Sequence, residues 1–262
     1  MSESVAADPL PSADFVQSLA RGLTVIRAFD GEPAELSLAE VARRADIPRA
    51  AARRFLRTLE QLGYVRATED ARFALTPRVL ELGYAYLSSL SLPEIVQPHL
   101  DELSHRIGES VSVAVLDGAD IVYVARAAAR RIMSVRITIG TRFRAYATSM
   151  GRVLMAALPD AATVLGAADL VAYTPLTRID RSALLAEVDR VGRQGWAMVD
   201  GELEEGLRSI AVPLRTRTGV TAALNVSTST ARGLADAVRA ELLPELLATA
   251  SRIDAELAAA RV

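Results

Sequence analysis

Arg49, Arg53, Arg54 and Arg57 stand within nine consecutive positions. Guanidinium groups spaced this way suit phosphate oxygens and the acceptor edge of guanine, because each is a permanent cation with a planar fork of donors. At about 100° per residue they occupy one helix face, within an arc of roughly 140°. Ala52, Phe55, Leu56, Leu59 and Leu62 occupy the other. An apolar back and a cationic front are what a helix lying in a DNA major groove requires, and equally what a solvated arginine face looks like. The element that must position this face runs from residue 38 to 65. Ser37 with Glu40 forms a capping box for a first helix that turns Leu38, Val41 and Ala42 inward. Asp46-Ile47-Pro48 breaks that helix, Pro48 serves as the first residue of the next, and Gly63 stops it. Two helices joined by so short a turn predict a helix-turn-helix, and Ala50 and Ala51 are counted with the arginines among its expected DNA-binding residues.

Other chemistry finds little support. The only histidines, His99 and His105, are six residues apart. On a helix they point about 120° away from each other, unlike the pair of a metal site. There is no cysteine, which excludes disulfides, thiolate metal sites and cysteine nucleophiles. No glycine-rich phosphate loop occurs, and the cluster Glu202, Glu204, Glu205 has no partner base that would set up acid–base work. A small-molecule enzyme is therefore set aside as the weaker reading; no catalytic residue, metal or cofactor is assigned.

The 262 residues allow two domains, and 51% hydrophobic residues suffice for real cores. Net charge is −2, so affinity for nucleic acid must be local. Residues 15–78 carry eleven arginines against eight acids, a net of +3, where the helix-turn-helix lies. Every basic residue other than histidine is arginine. The first fourteen residues lack the apolar stretch of a signal peptide, and no run approaches a membrane span, so a cytoplasmic protein is expected.

In chain order, residues 1–14 read as a disordered N-terminus. A first helix follows over 15–29, and after the helix-turn-helix come two short strands, 64–68 and 72–75. Three helices and such a ribbon predict a winged helix-turn-helix over 15–76, with Arg66 and Arg72 offered to phosphate by the wing. Thr76-Pro77 opens a linker helix over 77–92, apolar nearly all round and so expected to pair with another subunit. Residues 93–262 predict an α+β sensor-like domain. Its helices are expected up to 107 (bent at Pro98), over 150–157 and 182–194, and from 234 onward with a break at Pro244. Its strands are expected over 110–116, 121–125, 133–139, 196–199, 208–213 and 220–226.

Several motifs in this order resemble the IclR family of bacterial transcriptional regulators over nearly the whole length. Val16-Gln17-Ser18-Leu19-Ala20-Arg21-Gly22-Leu23 is similar to the family's opening helix, and Leu59-Glu60-Gln61-Leu62-Gly63-Tyr64-Val65 to the end of its recognition helix. Tyr146-Ala147-Thr148-Ser149-Met150-Gly151-Arg152 stands where the family has His-Ala-(Ser/Thr)-x-x-Gly-Lys. Gly195 to Glu202, followed by Gly206-Leu207-Arg208-Ser209, resembles its Gly-Tyr-x-x-x-Asp-x-Glu-x-x-x-Gly run. The forms around Arg49–Leu56 and Ala145–Arg152 look most like the branch governing protocatechuate and para-hydroxybenzoate catabolism, the β-ketoadipate pathway.

The resemblance implies a GAF-like effector domain holding a small organic acid between Ser149, Met150, Asp200, Leu207, Ser209, Asn225 and Ser227. Protocatechuate is the first choice, with its carboxylate toward the helix start at residues 148–151 and its hydroxyls toward Asn225 and Ser209. One arginine of the run Arg126, Arg130, Arg131, Arg136, Arg142, Arg144 is a further candidate for the carboxylate. Tyr146 replaces the usual histidine and Asn225 a usual serine, so the ligand of other members does not carry over; an aliphatic acid such as glyoxylate or pyruvate is the alternative. Trp196 is expected to report binding by fluorescence. The implied partners are double-stranded operator DNA and a second copy of the chain, as a homodimer or a pair of dimers, with no membrane involved.

Overall fold

A computed structural model describes residues 15–30, 33–68, 70–82, 92–129, 137–217 and 219–260. The chain divides into two compact units, residues 1–86 and 87–262. The expected disordered stretch 1–14 lies outside the described residues, as do 83–91 of the expected linker helix. The described start of that linker is a 3-10 turn, Pro77–Val79, capped by the Thr76 side chain, which accepts from Arg78 N.

The first unit holds α1 (Gln17–Arg27), β1 (Glu35–Ser37), α2 (Leu38–Arg44), α3 (Arg49–Gln61), β2 (Val65–Ala67) and β3 (Arg72–Leu75). Its core is built from Val25, Leu36, Val41, Ala52, Leu56, Leu59 and Val65. The capping box forms: Ser37 N donates to Glu40 Oε2 at 2.7 Å and Glu40 N to Ser37 Oγ at 3.3 Å. The turn between α2 and α3 takes Asp46 through φ +50°, and Pro48 is the cap of α3 rather than its first residue. Pro48's extended ψ and missing N–H both favour a position at the helix boundary, so α3 begins one residue later than expected. After α3 the chain reverses at Gly63 (φ +80°), a conformation that Cβ-bearing residues rarely adopt. The wing is a three-stranded antiparallel sheet in the order β1-β3-β2, one strand more than expected. Three residues of β1 are too few to show alternation.

The second unit is a six-stranded antiparallel sheet, ordered β6-β5-β4-β9-β8-β7, with helices on both faces. Its strands are β4 (Ser110–Asp117), β5 (Asp120–Ala127), β6 (Arg142–Arg144), β7 (Ala197–Asp200), β8 (Leu207–Thr216) and β9 (Gly219–Ser229). Val111, Val113 and Val115 of β4 face α4 (Leu92–Ile107) and the long α8 (Ala235–Ala259). The intervening Ser110, Ser112 and Ala114 face the opposite way, as strand alternation requires. On that second face α5 (Ser149–Ala156), α6 (Ala161–Ala167) and α7 (Arg181–Gln194) pack over small residues, Ala114, Ala197, Ala211 and Ala223. The approach is close: a Cβ on Gly151 would lie 2.1 Å from the Ala145 carbonyl oxygen.

Three expectations change. Of the strand expected over 133–139, residues 133–136 lie outside the described set and 137–141 form a loop and turn. The edge strand is instead β6, paired with β5 through Asp120↔Arg144. The last helix does not break at Pro244; α8 runs through it, because Val238, Leu242, Leu246, Ala250, Ile253 and Leu257 bury one continuous stripe. That burial outweighs the roughly 3 kcal/mol an interior proline costs. The unexpected α6 is capped by Asp160, whose carboxylate accepts from Ala162 N and Thr163 N. Among the described residues no helix is long and apolar enough to cross a membrane.

Candidate DNA-reading helix and effector cavity

On α3 the side chains divide as the spacing predicts. Ala52, Leu56 and Leu59 are buried, and Arg49, Ala50, Arg53, Arg54 and Arg57 are exposed. Among the described residues no carboxylate pairs with any of these four arginines. Ala51 and Arg54 line a groove with Gln17, Ser18 and Arg21 of α1. The wing arginines differ from each other. Arg66 is exposed and only loosely near Glu35, at 3.7 Å. Arg72 is committed inside the fold: its guanidinium donates to the Glu35 carbonyl at 2.8 Å and to Glu40 Oε2 at 3.1 Å. It ties β3 to the start of α2 and is not presented as a free phosphate contact. Hydrogen bonds from the Ser37 backbone and side chain, then the charge of Arg72, hold the Glu40 carboxyl below its ordinary value.

In the second unit α5, β8 and β9 enclose a cavity. Ser149, Met150, Leu207, Ser209, Asn225 and Ser227 all line it, together with Tyr123, Ile137, Thr148, Val199 and Leu203. The cavity is small, about 20 Å³, little more than one water needs. Its polar groups are paired with one another. Ser149 Oγ donates to Ser209 Oγ at 2.9 Å, and Asn225 Nδ2 to Ser227 Oγ at 3.1 Å. Asn225 is 2% exposed, yet its Oδ1 has no hydrogen-bond partner among the described residues. The start of α5 is capped from within, by Thr148 Oγ1 accepting from Gly151 N at 3.0 Å. Burial pushes the Tyr123 phenol up to about 12, against the opposing charge of Arg126.

Asp200 does not line the cavity. It accepts from Arg208 Nη2 at 2.8 Å, its neighbour across the β7–β8 ladder, and its side chain is 40% exposed. Trp196 is likewise outside, between the guanidinium groups of Arg190 and Arg239, so its fluorescence has no direct view of the cavity. The strongest ionic feature nearby is one whose pairing sequence reading did not assign. Arg152 is fully buried on α5, and its guanidinium meets Glu202 through Nη1–Oε1 at 2.9 Å and Nη2–Oε2 at 2.6 Å. Its Nε donates to the Tyr146 carbonyl, and Glu202 also accepts from Arg178 N. Tyr146 in turn holds the 171 loop, donating to Val171 O and accepting from Val171 N. The helix that carries Ser149 and Met150 is thus clamped at its base.

The helix-turn-helix and the sheet can now be set beside known proteins. Residues 84–255 match the family model for the C-terminal domain of bacterial transcriptional regulator IclR, and residues 18–69 the model for the IclR helix-turn-helix domain. The chain belongs to the IclR family. It is a ligand-responsive, DNA-binding transcriptional regulator, a winged helix-turn-helix joined to an α+β effector domain of the GAF-like kind. It is 49% identical to the Pca regulon regulatory protein of Pseudomonas putida, over 90% of this chain and 82% of that one. Among solved structures, a transcriptional regulator from Rhodococcus sp. RHA1 shares 54% identity with a TM-score of 0.81, over 93% of this chain and 98% of that one. An IclR homolog from Microbacterium hydrocarbonoxydans, solved with 4-hydroxybenzoate, superposes with the same score at 25% identity, over 92% and 98%. The family model and the Pseudomonas putida relative both describe transcriptional regulators.

Proposed function

We propose that this regulator controls genes of aromatic-acid breakdown and that a hydroxylated benzoate, protocatechuate first, opens the cavity under α5. One observation carries the reading. A buried acceptor, Asn225 Oδ1, faces a cavity lined by Ser149, Ser209 and Ser227, in a chain half identical to a Pca regulon regulator. Such an acceptor is costly unless a donor meets it, and a ring hydroxyl is that donor. To admit a ring the walls must part, and Met150, Leu203 and Leu207 are the side chains able to rearrange. The homolog solved with 4-hydroxybenzoate supports the same class of ligand. Operator contact belongs to Arg49, Arg53, Arg54 and Arg57 with Ala50, Ala51 and Arg66. A winged domain this small covers a short site, so the working form is a dimer or a pair of dimers on a pseudo-palindrome.

A second reading has its own observation: a cavity this small suits a two- or three-carbon acid such as glyoxylate or pyruvate. Calorimetry with protocatechuate, para-hydroxybenzoate, β-ketoadipate and glyoxylate separates the two, run beside gel shifts on the chain's own upstream DNA. Aromatic acids are expected to bind and to change operator affinity, and an Asn225→Ala, Ser209→Ala double variant to lose that binding. Binding of glyoxylate alone would refute the aromatic assignment.

A further inference from the structure

The cavity face of the sheet carries a basic group that the cavity walls do not include. The ladder places Ser112 of β4 opposite Arg126 of β5 on one side and opposite Asn225 of β9 on the other. Residues directly opposite share a face, so Arg126, Ser112 and Asn225 form one row across three adjacent strands. The next row is Ser110, Ser227 and Ser209. Between the cavity and Arg126 the sheet surface is therefore hydroxyl-bearing, in a core whose neighbouring positions include Ala114, Ala211 and Ala223. The guanidinium of Arg126 bends over that track. It donates to Ser112 Oγ at 3.2 Å and reaches Ser110 Oγ at 3.5 Å. It also lies near enough to the Tyr123 hydroxyl, on the cavity wall, to oppose the rise of that phenol's pKa.

Among the described residues, what Arg126 lacks is an anion. Arg142 has Asp117 and Asp120, Arg144 has Asp120, Arg152 has Glu202, and Arg208 has Asp200. Among the described residues no carboxylate pairs with Arg126, although burial already depresses its pKa. A half-buried guanidinium served only by two neutral hydroxyls keeps most of its donors for something else. At the far end of the same row stands an acceptor without a donor, Asn225 Oδ1. The row is bipolar: a cation that needs an anion, then an acceptor that needs a donor.

We propose that Arg126 binds the effector's carboxylate while Asn225 Oδ1 receives a hydrogen bond from a hydroxyl at the effector's opposite end. The proposal rests on the reading of the cavity as the effector site and adds its polarity. It turns the ligand away from the orientation first expected, with the carboxylate at the start of α5, where Thr148 already occupies the Gly151 N–H. Two strand spacings separate the ends of the row, on the order of 10 Å between the Cα atoms before side chains reach inward. A ring acid with a para or meta hydroxyl spans that interval. A two-carbon acid meets one end and leaves the other unpaired.

Calorimetry on the full chain tests this with para-hydroxybenzoate, its neutral analogue para-hydroxybenzamide, and benzoate. In the unaltered protein the acid is expected to bind on the order of 10- to 100-fold more tightly than the amide, the margin of a charge-assisted fork. Benzoate should also bind more weakly than the hydroxylated acid. In Arg126→Gln the acid-to-amide ratio should collapse to about one, and Arg126→Lys should restore part of it. A ratio preserved in Arg126→Gln, or an acid that never outbinds the amide, overturns the proposal. If Arg126→Gln does not fold, the ligand-side comparison in the unaltered protein and in Arg126→Lys still decides. Failure of every aromatic ligand, with glyoxylate binding, removes the aromatic reading itself and this polarity with it. A collapsed site with the aromatic reading intact shows instead as acid and amide binding equally.

Discussion

On α3, Arg49, Arg53, Arg54 and Arg57 stand in solvent with no carboxylate beside them among the described residues, while on α5 Arg152 is wholly buried and gripped on both terminal nitrogens by Glu202. The two helices spend the same side chain in opposite ways. An exposed, unpaired guanidinium keeps its donors for a partner outside the chain and costs the fold almost nothing. A buried one must satisfy its charge within the fold, and its fork then acts as a clamp with a preferred geometry. Arg72 shows that exposure by sequence position is not enough: it lies on the wing but belongs to Glu40. The lesson is to ask of each arginine which acid it already has, and only then what it reads.

The comparison is sharpened most by removing Arg152. Arg152→Ala leaves the buried Glu202 only the half-exposed Arg178, at 3.7 Å, as a cationic partner, an expected loss of about 3 kcal/mol in denaturant unfolding of the second unit. Arg152→Met with Glu202→Leu should recover most of that loss, since no charge is then stranded. An Arg152→Ala protein as stable as the parent would mean the pair is hydrated and the contrast with α3 is false.

The opposite outcome is expected on α3. Arg53→Ala or Arg54→Ala should leave thermal unfolding unchanged and weaken operator binding. A lost base contact costs about 1–3 kcal/mol and relaxes one position of the site. A lost phosphate contact lowers the salt slope by about one unit and weakens all sequences alike. Arg72→Ala should do the reverse and destabilise the first unit, because it frees β3 from Glu35 and Glu40. Gel shifts over a range of salt, beside melting curves, read all three. A double Arg53→Ala, Arg54→Ala variant with parental affinity and salt dependence would remove α3 from the interface.

This division explains what was legible beforehand. The α3 face follows from a 3.6-residue period within thirteen residues, so local spacing was enough. The wing's Arg72 was legible as a base but not its acid, 32 positions earlier. The cavity came from resemblance rather than from spacing. Alternation marks Ser110, Ser112, Asn225 and Ser227 as polar residues on one face, but nothing local says that β4 lies beside β9 and β9 beside β8. Asp200 was placed in the cavity on motif alone; the cross-strand pairing with Arg208 that takes it out depends on register. Arg126 was one of six arginines in a run until the ladder set it across Ser112 from Asn225.

The smallest effect concerns how dry the enclosed side of the comparison is. Tyr123 lines the cavity and burial raises its phenol to about 12, against about 10 for a tyrosine in the unfolded chain. Below pH 10 both states keep the proton and the stabilisation is whole. Between about 10 and 12 the unfolded chain loses the proton while the folded one holds it, so unfolding is favoured and stability falls as pH rises. The loss contributed by this group approaches about 2 kcal/mol at the top of the window. Tyrosinate absorbance should therefore show a late-titrating step that Tyr123→Phe removes, and the variant's stability should fall less steeply over the same range. Ligand binding near Arg126 would withdraw part of the positive charge that opposes this rise and push the step higher still. A Tyr123 that ionises with the exposed tyrosines would mean water reaches the cavity freely, and the enclosed arginine and the open ones would no longer stand in opposed environments.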